Sequence, residues 1–201
     1  MKKEFKRVYI LGCSGSGKTT LAKELARKLY IQHYDLDDIF WKKKYTIKRD
    51  EKSCRSLLKK LAVKDSWIIE GVYDRWVDPA VRRATFVIWL RISPLIITLH
   101  LLQRYIFREK TKESWKDTLM LIRYVWRYEK EDQPSGFGSH KKLIEKYKVP
   151  YIKIKKEKEA KYFLKKATTS KKIKELFGAI RFNKSTEDML KEERKLTSKW
   201  E

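Results

Sequence analysis

The feature that most constrains this chain is an eight-residue stretch near its start, Gly12-Cys13-Ser14-Gly15-Ser16-Gly17-Lys18-Thr19. It fits the pattern G-x-x-x-x-G-K-[ST] in full. Three of the chain's seven glycines fall within it. It follows a short apolar run, Arg7-Val8-Tyr9-Ile10-Leu11. It then enters a segment where Leu21, Leu25 and Leu29 recur every four residues beside Ala22 and Ala26. The spacing predicts a strand, a glycine-rich turn and a helix with one apolar face. In such a turn, backbone N–H groups converge on phosphate oxygens, and the helix N-terminus adds positive potential. Lys18 can reach the β- and γ-phosphates, and Thr19 can place its hydroxyl on Mg²⁺. Gly12, Cys13, Ser14, Gly15, Ser16, Gly17, Lys18, Thr19 and Thr20 are the candidate nucleotide-binding residues, with ATP and Mg²⁺ as cofactors. Cys13 has two readings: a redox-sensitive thiol near a helix N-terminus, or a small residue tolerated at a variable loop position.

The rest of the chain alternates between two periodicities. Residues 31–34 predict a second strand, followed by Asp35, Asp37 and Asp38. Residues 50–62 predict a helix with Cys54, Leu57, Leu58 and Leu61 on one stripe. Trp67-Ile68-Ile69-Glu70 is a third strand, stopped by Gly71. Residues 85–90 form a fourth strand, and Ser93-Pro94 opens a helix running to about Arg108. Trp115, Leu119, Ile122 and Trp126 mark another amphipathic helix, residues 131–139 a loop, 149–154 a fifth strand and 158–166 a closing helix. Short strands alternating with helices predict an α/β fold with a doubly wound parallel sheet. Residues 1–178 read as one domain. Residues 179–201 read as a C-terminal tail, helical or loosely ordered.

Composition narrows the function classes. Fifty Lys and Arg against 26 Asp and Glu leave a net charge of +24 in 201 residues. Such a charge attracts polyanions, so weak non-specific nucleic-acid binding is expected. The scattered lysines equally fit a Lys-rich genome or a thermophile. Two cysteines make no disulfide framework. No apolar segment follows Met1, so no secretory leader is expected. The most apolar stretch, 86–107, is broken by Arg91, Pro94, His100 and Arg104, so no membrane span is expected. The expected setting is cytoplasmic, with no membrane partner, as a monomer or homodimer. His33, His100 and His140 are far apart, and no metal site beyond the Mg²⁺ brought with ATP is expected.

In a parallel sheet the strand C-termini gather at one edge, where ligands bind. Asp35 and Asp37 therefore face the phosphates or cap the helix that follows; Asp38 reads as solvated. Asp37 is the candidate to orient an acceptor hydroxyl. Asp35 and Glu70, with Thr19, are the candidate Mg²⁺ ligands, and for Glu70 the alternative is an edge salt bridge. Gly71 lets a substrate approach the backbone, and Tyr73 and Arg75 lie just beyond, where a cation suits an anionic substrate. Trp41, read as part of the acidic-cluster helix, is the candidate to line an acceptor pocket. Trp67, Trp89, Trp115 and Trp126 sit on core-like stripes.

Four pieces, GCSGSGKTTLAKELA, YDLDDIFW, WIIEGVYDRWVD and ATFVIWLRISP, occur in the order and spacing of adenylate-kinase-related P-loop proteins of the DNA topology modulation protein family, which the chain resembles over about residues 6–167. The resemblance implies a P-loop NTPase of the nucleoside-monophosphate-kinase fold: a five-stranded parallel sheet with helices on both faces and a short mobile lid, binding ATP. It carries Gly12 to Thr19 onto the ATP loop, Asp37 onto the acid before the Phe-Trp pair, and Gly71 and Tyr73 onto the substrate-side loop. One departure is Arg91, where the family usually has an acid.

The lid is expected within about residues 104–130. Arg104 and Arg108 are four apart and share a helix face, as do Arg123 and Arg127. Arginines brought by a closing lid stabilise the charge of phosphoryl transfer. Arg104 and Arg108, with Lys18 and Asp37, are the candidate catalytic residues; a solvated charged face is the other reading. The functional expectation is a kinase passing the γ-phosphoryl group of ATP to a small acceptor: a nucleotide, nucleoside or similar molecule. The rivals are a DNA-interacting ATPase and a nucleotide-binding regulator with little turnover.

Overall fold

The computed structural model describes residues 5–43, 46–107, 114–130 and 133–167. Five parallel strands form the central sheet: β1 (Arg7–Gly12), β2 (His33–Asp35), β5 (Trp67–Gly71), β6 (Phe86–Leu90) and β7 (Tyr151–Ile154), in the order β2-β5-β1-β6-β7. The doubly wound parallel sheet expected from the sequence is present. β1 lies at its centre and delivers the glycine-rich turn to the carboxyl edge.

The strands are apolar at successive positions because both faces are covered. Val8, Ile10, Ile68, Phe86 and Ile88 point to one side. There they meet α1 (Lys18–Leu29), α5 (Pro94–Phe107), α6 (Trp115–Arg127) and α8 (Glu157–Ala167). Tyr9, Leu11, Trp67, Ile69, Val87 and Trp89 point to the other. They meet α2 (Leu36–Phe40), α3 (Glu51–Ala62), α4 (Asp78–Val81) and α7 (Phe137–Tyr147). Trp67 and Trp89 are essentially fully buried, as their stripes predicted. Deleting such a side chain costs about 3–5 kcal/mol.

Several local expectations need correction. The acidic-cluster helix ends at Phe40, and Trp41 opens β3 (Trp41–Lys43), which pairs antiparallel with β4 (Ile47–Lys48). Helix α7 begins at Phe137, inside the predicted 131–139 loop. Trp115 and Trp126 are not core: they are 46% and 54% exposed, and Thr118 and Val125 are the buried residues of α6. The helical period was right, but the face turned inward is the one next to the tryptophan stripe. Residues 108–113, which hold Arg108 and part of the expected lid, and the 179–201 tail lie outside the described residues.

Arg91 has a structural role. Its guanidinium makes two hydrogen bonds to Glu129, 2.6 and 3.3 Å, and lies 4.3 Å from the centre of the Phe137 ring. The cation clamps the far end of α6 to the sheet.

Candidate active site at the carboxyl edge of the sheet

A cleft of about 1150 Å³ runs along the carboxyl ends of the strands. The residues of the glycine-rich loop from Ser14 to Thr20 line its floor. At Gly15, φ is +79° and a Cβ would stand 2.9 Å from Ile97 Cγ2, so a side chain there is strained twice over. α5 thus closes tightly over the loop. Lys18 is buried rather than solvent-facing, and its Nζ donates to the Cys13 carbonyl at 2.9 Å. Ser16 Oγ is buried in the loop with no hydrogen-bond partner among the described residues. A buried donor left over in a loop of converging backbone amides fits a phosphate group. Cys13 is 1% exposed in the apolar core, and burial pushes its thiol up to about 12 despite nearby Lys18. That opposes the redox reading and favours the small, inert residue.

The first helical turn of α1 meets the third strand of the sequence reading. Thr19 Oγ1 donates to Glu70 Oε1 at 2.7 Å, and Glu70 is 2% exposed. Burial pushes the Glu70 carboxyl up. His33, Lys18 and Thr19 outweigh it, and the group ends below its ordinary value. It is therefore an anion at neutral pH. His33 Nε2 lies 3.7 Å from Glu70 Oε1. A hydroxyl and a carboxylate, both oxygen donors, suit a hard cation such as Mg²⁺.

The two aspartates divide the roles between which the sequence left them. Asp35 caps α2: its Oδ1 accepts from the Asp37 N–H at 2.8 Å. Asp35 also stands opposite Glu70 in the strand register, and burial followed by the Glu70 charge pushes its carboxyl up to about 6. Asp37 does not cap; its Oδ1 accepts from the Tyr73 hydroxyl at 2.7 Å. Tyr73 is in turn packed between Phe40 and Trp76, with ring centres 4.8 and 5.0 Å away.

The other candidates separate. Arg104 lines the cleft on α5; Arg123 and Arg127 are exposed and do not. Gly71 lines it too, but a Cβ there would meet Leu36 Cδ1 at 2.7 Å, so its first service is to let α2 pack onto β5. Trp41, Tyr73 and Arg75 are not part of the lining. Trp41 packs edge-on against Phe40 with ring centres 5.1 Å apart. Arg75 lies 3.7 Å from Glu51 on α3, exposed and away from the cleft. Its pairing with a residue 24 positions earlier is a tertiary contact that no local pattern announces.

His33, His100 and Glu157 also line the cleft, though the sequence did not single them out for it. His33 lies two residues before Asp35 on a strand, hence on the same face, and that spacing was a usable signal. His100 is 3.4 Å from the Gly15 carbonyl through Nδ1 and 2.7 Å from Glu157 Oε1 through Nε2. It ties α5 to the loop and to the start of α8, and only the tertiary fold brings His100 and Glu157 together.

Comparison with known proteins bears on family and fold. The profile of the AAA domain family matches residues 8–118, which span the loop, the acidic cluster, Glu70 and Arg104. The uncharacterized protein YqaC of Bacillus subtilis (strain 168) is 36% identical over 88 residues, 43% of this chain and 49% of that protein. The chain thus spans about half the length of the curated relative it matches. Among solved structures, a gluconokinase from Sinorhizobium meliloti 1021 superposes with a TM-score of 0.53 at 9% identity, covering 90% of this chain and 99% of its own. A shikimate kinase from Bacteroides thetaiotaomicron gives 0.51 at 17%, covering 86% and 98%. A shikimate kinase from Acinetobacter baumannii, in complex with shikimate, gives 0.50 at 14%, covering 77% and 85%. At these identities the likeness is one of fold, that of the P-loop kinases. With more than half its length inside the matching profile, the chain belongs to the AAA domain family.

Proposed function

We propose that the chain is an ATP-dependent phosphotransferase that passes the γ-phosphoryl group to a small acceptor. The observation that carries this reading is the 2.7 Å hydrogen bond from Thr19 to buried Glu70, directly beside the glycine-rich loop. Loop, hydroxyl and carboxylate are the parts a P-loop enzyme needs around a metal-bound triphosphate. Gly12 to Thr20 and Lys18 would hold the phosphates. Thr19 and Glu70, with Asp35 beside them, would hold Mg²⁺, which supplies charge neutralisation across the phosphate oxygens.

The chain's own residues then divide the work. Asp37 stands at the opening of α2 with one oxygen held by Tyr73. Its other oxygen would orient the acceptor hydroxyl and receive its proton. Arg104, from α5, stabilises charge on the phosphoryl oxygens as they separate. Phe107 and Leu121, from α5 and α6, also line the cleft and help exclude water. The resemblance to nucleoside-monophosphate kinases concerns the fold and names no acceptor, and the likeness to a gluconokinase and shikimate kinases widens the range of hydroxyl acceptors to be tried.

The +24 charge favours a second reading, an ATPase acting on nucleic acid. The experiment that separates the two is ADP formation with and without small acceptors and duplex DNA. Dependence on a small acceptor supports the kinase. Dependence on DNA at moderate salt replaces it.

A further inference from the structure

The acceptor half of the cleft is anionic in a protein that is otherwise strongly basic. Its walls are β2 with α2, α3, and the turn after β5. The charged side chains they present to the cleft are Asp35, Asp37, Asp38 and Glu70. The cations among the lining residues, Lys18, Lys23, Arg104 and Lys161, come from the glycine-rich loop with α1, from α5 and from α8. Among the described residues, no lysine or arginine of the acceptor walls lines the cleft.

Those walls do not lack cations: Lys52, Lys59 and Lys60 of α3 are exposed outside the lining, and others are held by structural partners. The Arg49 guanidinium donates to the carbonyls of Asp38, Ile39 and Trp41 at 3.0, 2.6 and 2.8 Å, closing the end of α2. Arg55 makes a 2.6 Å ion pair with Asp78. Arg75 pairs with Glu51. Lys64 Nζ donates to the Tyr34 hydroxyl at 2.8 Å. Recognition of a phosphate or carboxylate on an acceptor calls for an arginine fork or a lysine. With Glu70 and Asp35 turned to the Mg²⁺ side, an anion there would still face Asp37 and Asp38, with no cation of these walls to pair with.

Resting on the kinase reading above, we infer that the acceptor is an alcohol carrying no negative charge. It is a neutral polyol or nucleoside, or an amino alcohol whose ammonium group adds attraction, and not a nucleoside monophosphate, sugar phosphate or hydroxy acid. In the transfer step the acceptor oxygen bonds to the γ-phosphorus while the bond from that phosphorus to the β–γ bridging oxygen breaks. ADP leaves with that electron pair, and the hydroxyl proton passes to the Asp37 carboxylate. Arg75, which sequence position offers as an anion receptor, takes no part. Arg75→Ala leaves turnover within about twofold.

The test uses the full chain with ATP and Mg²⁺. First, ATP binding is measured directly by calorimetry. Second, ADP formation and product mass are followed over matched acceptors: nucleosides against their 5′-monophosphates, polyols against their phosphates and their acids, and amino alcohols. Third, a dinucleoside pentaphosphate, which joins ATP to a nucleoside monophosphate, is compared with ATP for affinity. An uncharged or cationic member should show at least tenfold greater kcat/KM than its anionic counterpart. Pentaphosphate affinity should lie within about threefold of that of ATP. Turnover of a monophosphate at equal or higher kcat/KM overturns the inference, as does pentaphosphate binding at least tenfold tighter than ATP. A protein that binds ATP yet phosphorylates no uncharged or cationic member overturns it too. A protein that does not bind ATP brings down the phosphate-loop reading beneath it.

Discussion

The two halves of the cleft are built by opposite means. The nucleotide half relies on the backbone: a turn of glycines, a helix N-terminus, a lysine folded onto its own loop, and cations arriving from three helices. The acceptor half relies on side chains: carboxylates held by a cap, a tyrosine and a threonine, with the neighbouring cations drawn into structural contacts. A net charge of +24 therefore says little about the potential inside a site. Local partners decide which charges reach the cleft.

The largest effect expected lies in the nucleotide half. Lys18→Ala should lower turnover by about three orders of magnitude, because the lysine's charge acts on the phosphate oxygens that gain charge in the transition state. Near-ultraviolet circular dichroism should show the fold retained. Wild-type turnover in this variant would break the assignment of that half. Arg104→Ala should fall next, by up to about a thousandfold in acceptor-dependent turnover with little change in melting temperature. Normal turnover would place Arg104 on a charged face only.

Asp37→Asn probes the acceptor side. Turnover should drop by about a hundredfold or more while ATP affinity stays within about twofold. The cap belongs to Asp35, so melting should barely shift. A large loss of ATP affinity would mean that the two halves are not separate.

How much of this was legible follows from the distance over which each feature is encoded. The loop is written in consecutive residues because only glycine satisfies it at positions such as Gly15, and a strand and helix must flank it. Glu70 is legible because it ends an apolar strand at the edge where ligands gather. Asp37 was narrowed to two roles by its neighbourhood, but the choice depended on Tyr73, 36 residues away. Arg75 and Trp41 were placed at the site by position alone; an ion pair with Glu51 and an unforeseen β3–β4 hairpin take them out. The 115–126 stripe had the right period, but periodicity marks an apolar face without saying what covers it. His140 illustrates the same limit: its ring bridges the Tyr128 hydroxyl at 2.8 Å and the Val72 carbonyl at 2.8 Å, contacts that only the fold brings together.

A smaller effect should appear in stability. Burial and Glu70 raise the Asp35 carboxyl to about 6 from an ordinary value of 3.8. Between those values the folded protein holds a proton that the unfolded chain has released, so stability falls as pH rises from about 4 to about 6. Asparagine also caps helices. Asp35→Asn should therefore be more stable than the parent above pH 6, by about 1 kcal/mol after allowing for partial exposure, and the gain should fade toward pH 4. Urea melts at pH 4.5 and 7.5 measure it; an equal difference at both would remove the crowding of Asp35 by Glu70 from the account. Smallest of all, Arg123→Ala and Arg127→Ala should change stability by about 0.5 kcal/mol or less and leave turnover within about twofold.

Phosphoryl transfer is followed most directly through the γ-phosphate itself. ATP labelled in that phosphate is incubated with the full chain, Mg²⁺ and the uncharged or cationic alcohol that best stimulates ADP formation. Label should pass into the alcohol in step with ADP, little should appear as free phosphate, and Lys18→Ala and Asp37→Asn should both suppress the transfer. Label released as inorganic phosphate at the same rate with and without the acceptor would contradict the kinase reading.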